Sequence, residues 1–164
     1  MVDMPEGRAP TKGADAAHSR RLILAGPSLL PVSSSLIPVE DVQTSRISSL
    51  EAGQDFFTQY VPPHDHRGEP LPAVLLVEED LPGGGLQLLR WLRQGATPAR
   101  YLPAVFLLTA ADPSRGLEAL ATGANSVVAL SSAPAQRREQ LALLARYWLD
   151  LNIPPPDPCE IFQR

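Results

Sequence analysis

Apolar residues along this chain fall into short unbroken runs, separated by polar stretches that carry glycine and proline. Arg21-Leu22-Ile23-Leu24-Ala25 ends at Gly26-Pro27. Ala73 to Val77 follows Pro72 and runs into Glu78-Glu79-Asp80, then Leu81-Pro82 and three glycines. Pro103 to Thr109 reads PAVFLLT, and Ser126 to Leu130 reads SVVAL. Short continuous runs rich in valine and leucine predict strands buried on both faces, as in a parallel sheet. Ser45 to Leu50 is a weaker strand, the second in chain order.

The segments between the runs carry helical spacing and helical punctuation. Glu51 to Tyr60 places Phe56, Phe57 and Tyr60 on one apolar face. Leu86 to Gln94 turns Leu86, Leu89 and Leu92, with Trp91, towards a core. Asp112 caps a helix with Pro113 in its first position; it runs to Thr122 and stops at Gly123. The last helix, Pro134 to Leu149, is capped by Ser131 or Ser132 and carries Leu141, Leu144, Ala145, Trp148 and Leu149. Ser28 can start a helix after the first strand. Pro31, Pro38 and the serines 33–35 make that helix short or broken.

Strands alternating with helices imply a parallel sheet covered on both faces. Five such units predict an α/β, flavodoxin-like (βα)5 three-layer sandwich with strand order 2-1-3-4-5. All strand carboxyl ends then share one edge, where sites in open α/β sheets are built. Glu78 and its acidic neighbours lie on that edge. Residues 1–20 are expected to form a disordered arm, 21–150 one domain, and 151–164 a proline-rich tail.

Composition narrows the function. The chain has 164 residues, 18 prolines and a net charge of −4, with no basic stripe for nucleic acid. No run approaches the ~18 apolar residues of a membrane span, and no apolar signal core precedes residue 20, so the cytoplasm is expected. Cys159 is alone in the tail. His64-Asp65-His66 offers two histidines without a third ligand, a weak metal signal; a solvated loop is the expectation. Gly83-Gly84-Gly85 matches neither G-x-x-x-x-G-K-[ST] nor G-x-G-x-x-G. No G-x-S-x-G elbow accompanies the three histidines, so a hydrolase of that kind is not indicated. No cofactor and no resident metal are expected.

The segments Pro72 to Pro82, Leu102 to Thr109, Gly123-Ala124-Asn125 and Tyr147-Trp148 to Pro154 resemble the receiver domain of two-component response regulators. The similarity covers roughly Arg21 to Pro156. The Gly-Ala-Asn before the last strand and the Tyr-Trp…Ile-Pro ending resemble a narrower group, the single-domain regulators paired with bacterial and cyanobacterial phytochromes. The resemblance implies two acids after the first strand and an aspartate ending the third, holding Mg²⁺. It also implies a hydroxyl after the fourth strand and a lysine after the fifth. A metal and a fixed cation offset the charge gathered in phosphoryl transfer.

Carried over residue by residue, the pattern is depleted. The acid pair falls on Gly26 and Pro27. The acceptor position is Glu78, four residues before Pro82, and the backbone-carbonyl contact two further on is Asp80. The switch hydroxyl falls on Leu108, with Thr109 as the alternative register. The lysine falls on Leu130 and the aromatic switch on Val127. Without the acid pair, a hard cation has too few oxygen ligands. The resemblance therefore implies a degenerate receiver, a pseudo-receiver, with Glu78 expected as an acid tolerated at a solvated edge rather than a charge mimic. Glu78 and Asp80 form the remnant acidic site. An active regulator using Glu78 or Asp80 as acceptor is the alternative. The implied partners are a second copy and a phytochrome histidine kinase. The implied dimer interface uses the helix to Thr122, the last strand and the last helix, with Leu144, Trp148, Leu149, Leu151 and Ile153.

Overall fold

The computed structural model describes residues 20–29, 42–59 and 72–152. The N-terminal arm up to Ser19, the helix expected after Ser28, Tyr60, the His64-Asp65-His66 loop and the tail from Ile153 lie outside the described residues.

Five parallel strands form one sheet in the expected order. They are β1 (Arg21–Ala25), β2 (Gln43–Ile47), β3 (Val74–Glu78), β4 (Ala104–Leu108) and β5 (Ser126–Ala129). β3 is central, paired with β1 through Ala25↔Val77 and with β4 through Glu78↔Leu107. Every residue of β3 and β4 is buried, which is why both read as unbroken apolar runs. Alternate residues serve two cores. Ile23, Leu75, Val77 and Phe106 face α1 (Leu50–Thr58), α2 (Gly85–Gln94) and α3 (Pro113–Thr122). Leu22, Leu24, Leu76, Val105 and Leu107 face α4 (Pro134–Arg146). Burying one such leucine contributes about 1.5–3 kcal/mol, so these two layers, and not the polar contacts below, hold the sheet together.

Several boundaries differ from expectation for identifiable reasons. The second strand occupies Gln43–Ile47 rather than Ser45 to Leu50. Ser49 instead caps α1, its hydroxyl accepting the Ala52 N–H at 3.1 Å, which draws Leu50 into the helix. In α2 the buried leucines are 88, 89 and 92, while Leu86 and Trp91 flank the core. α4 is capped by neither serine: Ala133 is the N-cap, and the Ser131 hydroxyl accepts its N–H at 3.2 Å and donates to Gln136. Pro134 then occupies the first turn, where it displaces no helical hydrogen bond. After Arg146 the chain continues as a π turn, Tyr147–Leu151, closed by the Asn152 N–H on the Tyr147 carbonyl at 2.7 Å. α3 meets its predicted ends, Asp112 at the N-cap and Gly123 left-handed at the C-terminus.

Candidate functional site

The carboxyl edge of the sheet gathers the ends of β1, β3, β4 and β5. At its centre Glu78 is the last residue of β3, and it is 1 % exposed. The solvated-edge expectation for Glu78 is thus incorrect. Strand alternation turns its side chain to the same face as Val74 and Leu76, and its length carries the carboxyl across to the turn after β1. There the Ser28 N–H donates to Oε2 at 2.9 Å, and the Ser28 hydroxyl donates to Oε1. Burial pushes the Glu78 carboxyl above the usual glutamate range. The Ser28 N–H and the Arg137 charge pull the other way, and the Asp80 charge adds to the rise.

Gly26 makes this placement feasible. A Cβ at position 26 would lie 2.6 Å from Glu78 Cβ and 2.7 Å from Cγ, and would collide with Oε2. The backbone there has φ +149°, which side-chain-bearing residues rarely adopt. An inward Glu78 therefore requires glycine at position 26. Gly85 has a comparable role on the other side: a Cβ there would lie 2.8 Å from the Glu78 carbonyl carbon, so only glycine lets α2 start this close to β3.

The next acid behaves differently. Glu79 accepts the Thr109 N–H at 2.8 Å and the Thr109 hydroxyl at 2.7 Å on Oε1, and its Oε2 lies 3.0 Å from Arg115 Nη1. Asp80 is exposed in the turn beyond the strand. Glu79, Arg115, Ser28 and Arg137 were not singled out by the sequence. Their contacts join residues 30 or more positions apart, and only Ser28 carried a local signal, as a helix cap.

No family model matches the sequence, and no curated protein does. Solved structures do match. The phosphorylated cyanobacterial phytochrome response regulator RcpA aligns with 85 % of this chain and 99 % of its own, at TM-score 0.70 and 14 % identity. The Mn²⁺-bound response regulator Rcp1 aligns with 82 % of this chain and 98 % of its own, at TM-score 0.65 and 16 % identity. A response regulator in red light signalling of R. palustris aligns with 82 % of this chain and 97 % of its own, at TM-score 0.60 and 21 % identity. The chain has the fold of response regulator receiver domains.

The positions named from sequence lie at or near this edge. Gly26 is buried beneath Glu78, and Pro27 is exposed beside it. Leu108 ends β4 with its side chain in the core, and the neighbouring Thr109 hydroxyl is engaged by Glu79. Leu130 is packed with Leu141 and Ala145 beneath α4, and its N–H bonds the Leu108 carbonyl at 2.8 Å. Val127 is half-buried against the α2–α3 core. Among the described residues no group of three or more His, Cys, Asp or Glu side chains is arranged to hold a metal. The divalent cation implied by the fold does not fit: Gly26 and Pro27 offer no carboxylate, and Glu78 is turned inward.

The Gly123-Ala124-Asn125 signature has a structural explanation. Arg93 of α2 donates to the Gly123 carbonyl at 2.9 Å, the Arg100 carbonyl at 2.7 Å and Asn125 Oδ1 at 3.3 Å. Asn125 Oδ1 also accepts the Ala104 N–H at 2.9 Å, locking the start of β4. Burial lowers the Arg93 pKa from the usual arginine value. Leu144 of α4 and Trp148 and Leu149 of the π turn are half-buried against the chain's own second core, while Leu151 is exposed. Ile153 lies outside the described residues.

Proposed function

We propose that this protein is an atypical single-domain response regulator, a pseudo-receiver that signals by binding rather than by phosphoryl transfer. One observation supports the reading. Glu78, at the acceptor position, is buried against Gly26, one of the two positions assigned to the acid pair, and is hydrogen-bonded by Ser28. A nucleophile must present its oxygen to the incoming group at near-attack distance; this one is enclosed and already hydrogen-bonded. The missing cation at Leu130 points the same way. The reading makes the protein a non-enzyme acting in the cytoplasm. Its proposed partner is a phytochrome histidine kinase, a choice supported by the phytochrome and red-light regulators among the matching structures.

The same reading includes a homodimer through α3, β5 and α4. Leu143, Tyr147 and Leu151 are 67 %, 50 % and 67 % exposed and recur every four residues. The π turn has more residues per turn than the α-helix before it, which keeps Leu151 in line with the other two. This ridge and Leu151 are better candidates for intermolecular contact than Leu144, Trp148 and Leu149, which the protein covers itself.

Incubation with acetyl phosphate and Mg²⁺, followed by intact-mass measurement and light scattering on the same sample, tests both parts. The expected result is an unchanged mass and a dimer that persists without phosphate donor. Gain of one phosphoryl group would overturn the reading in favour of an acceptor at Glu78 or Asp80. A monomer at micromolar concentration would remove the dimer.

A further inference from the structure

Glu79 has a side chain only 4 % exposed, yet the fate of Glu78 leaves it unexplained. The Glu79 main-chain N–H bonds the Leu107 carbonyl at 3.0 Å, carrying the β3–β4 ladder one residue past the strand. In a parallel ladder the following bond runs from the Thr109 N–H to the Glu79 carbonyl. Here that carbonyl accepts the Gly85 N–H at 3.4 Å instead. The Thr109 N–H turns to the Glu79 carboxylate at 2.8 Å, and the Thr109 hydroxyl joins it at 2.7 Å. The side chain thus supplies the rung that the main chain gives up. Its second oxygen faces the Arg115 guanidinium at 3.0 Å, on the first turn of α3.

α3 needs such a fastening. Only Ala119 of its ten residues is buried, and Leu117 and Leu120 are exposed. So little apolar contact leaves the helix weakly anchored to the sheet. Its position is set by polar contacts at its two ends, Glu79 with Arg115 at the start and Arg93 with Gly123 at the finish. Between Thr109 and Asp112 stand two alanines, which offer no substitute acceptor if the carboxylate leaves.

We propose that Glu79 is a resident anionic latch. It holds the β4–α3 loop and α3 in one position through Thr109 and Arg115 of the chain itself, with no added phosphoryl group, so the α3 face bearing Leu117 and Leu120 is presented permanently. That the presentation is constitutive rests on the phosphorylation-independent reading above; the latch itself does not. Charge-assisted hydrogen bonds to a carboxylate are shorter and stronger than neutral ones; two donors from Thr109 meet Oε1, and the Arg115 charge stands 3.0 Å from Oε2.

Hydrogen exchange on the full-length protein tests the proposal with wild type, Glu79→Gln and Thr109→Val. The expected result in Glu79→Gln is exchange faster by on the order of tenfold through residues 109–122, the scale of one charge-assisted hydrogen bond. Thr109→Val, which keeps the backbone donor, gives a smaller rise in the same segment. The strands 22–25, 74–78 and 104–108 keep their wild-type rates in both. Unchanged exchange over 109–122, or a rise spread equally through those strands, overturns the latch. Should Glu79→Gln fail to fold, Thr109→Val decides alone. A phosphoryl mass gain in wild type would defeat the reading above while leaving this exchange comparison intact, so the two failures are distinguishable.

Discussion

Gly26→Ala is a one-carbon change with a large expected effect. The added Cβ would lie 2.6 Å from Glu78 Cβ and 2.7 Å from Cγ, where nothing flexible can yield without moving β3. Overpacking of this kind costs about 1–3 kcal/mol. The backbone at φ +149° adds a conformational penalty of about 1–3 kcal/mol for a residue with a side chain. Together the substitution should cost roughly 2–6 kcal/mol, a large share of the ~5–15 kcal/mol that stabilises a typical domain. In a Glu78→Gly background the steric part vanishes and only the backbone part remains. A double-mutant cycle should therefore return a coupling of about 1–3 kcal/mol between positions 26 and 78.

Urea unfolding at neutral pH, followed by far-ultraviolet circular dichroism, supplies the four free energies. The slopes must agree for the cycle to be valid. If Gly26→Ala costs the same in both backgrounds to within about 0.5 kcal/mol, the variation expected between independent sites, the two residues are not coupled. The inward placement of Glu78 would then be refuted. The functional stake is direct, because an aspartate at position 26 would meet the same obstruction as an alanine.

Two further outcomes follow from the same edge and its supports. Burial raises the Glu78 pKa, so the folded state retains a proton that the unfolded chain releases as pH climbs past the ordinary glutamate value of 4.5. Stability should fall with rising pH through that window, and Glu78→Gln should flatten the fall in urea midpoints measured between about pH 4 and pH 8; an unchanged slope would assign it to another group. Arg93→Lys should destabilise by about 1.5–3 kcal/mol, because a single ammonium cannot serve the Gly123 carbonyl, the Arg100 carbonyl and Asn125 Oδ1 in one planar fork. Thermal melts would show it, and a lysine variant as stable as wild type would remove Arg93 as the clamp.

The fold could be read from the sequence because β3 and β4 are buried on both faces and must be apolar throughout. β2, at the sheet's edge, keeps only Ile47 fully buried, so its apolar signal was too thin to fix its limits. The last helix is apolar on several sides, and sequence could not separate the buried Leu141 and Ala145 from the exposed Leu143 and Tyr147. The site was harder still. Gly26, Pro27 and Leu130 could be assigned from sequence as the acid-pair and lysine positions only through the resemblance. The direction of the Glu78 side chain could not be assigned, since it depends on a glycine and a serine some fifty positions away. The Glu79–Thr109 contact was hidden for the same reason: Thr109 was named as an alternative hydroxyl position, but its partner Glu79, thirty residues earlier, was not, and only the folded edge brings the two together.

The adjacent acids also explain why the depleted site would be hard to rebuild by single substitutions. An aspartate at position 26 is blocked while Glu78 points inward. Shortening Glu78 to aspartate withdraws its carboxyl from Ser28 and leaves space above Gly26, a cavity with a cost of its own. A lysine at position 130 must place its stem and ammonium where Leu130 packs with Leu141 and Ala145. A buried charge without a partner costs several kcal/mol. Each reversal is therefore unfavourable until the others are in place, whereas in the present arrangement Ser28 bonds the Glu78 carboxyl and Thr109 bonds Oε1 of Glu79. If the protein is the pseudo-receiver proposed above, the packing of the sheet edge itself opposes phosphoryl chemistry, and gaining that chemistry requires changing β1, β3 and β5 together.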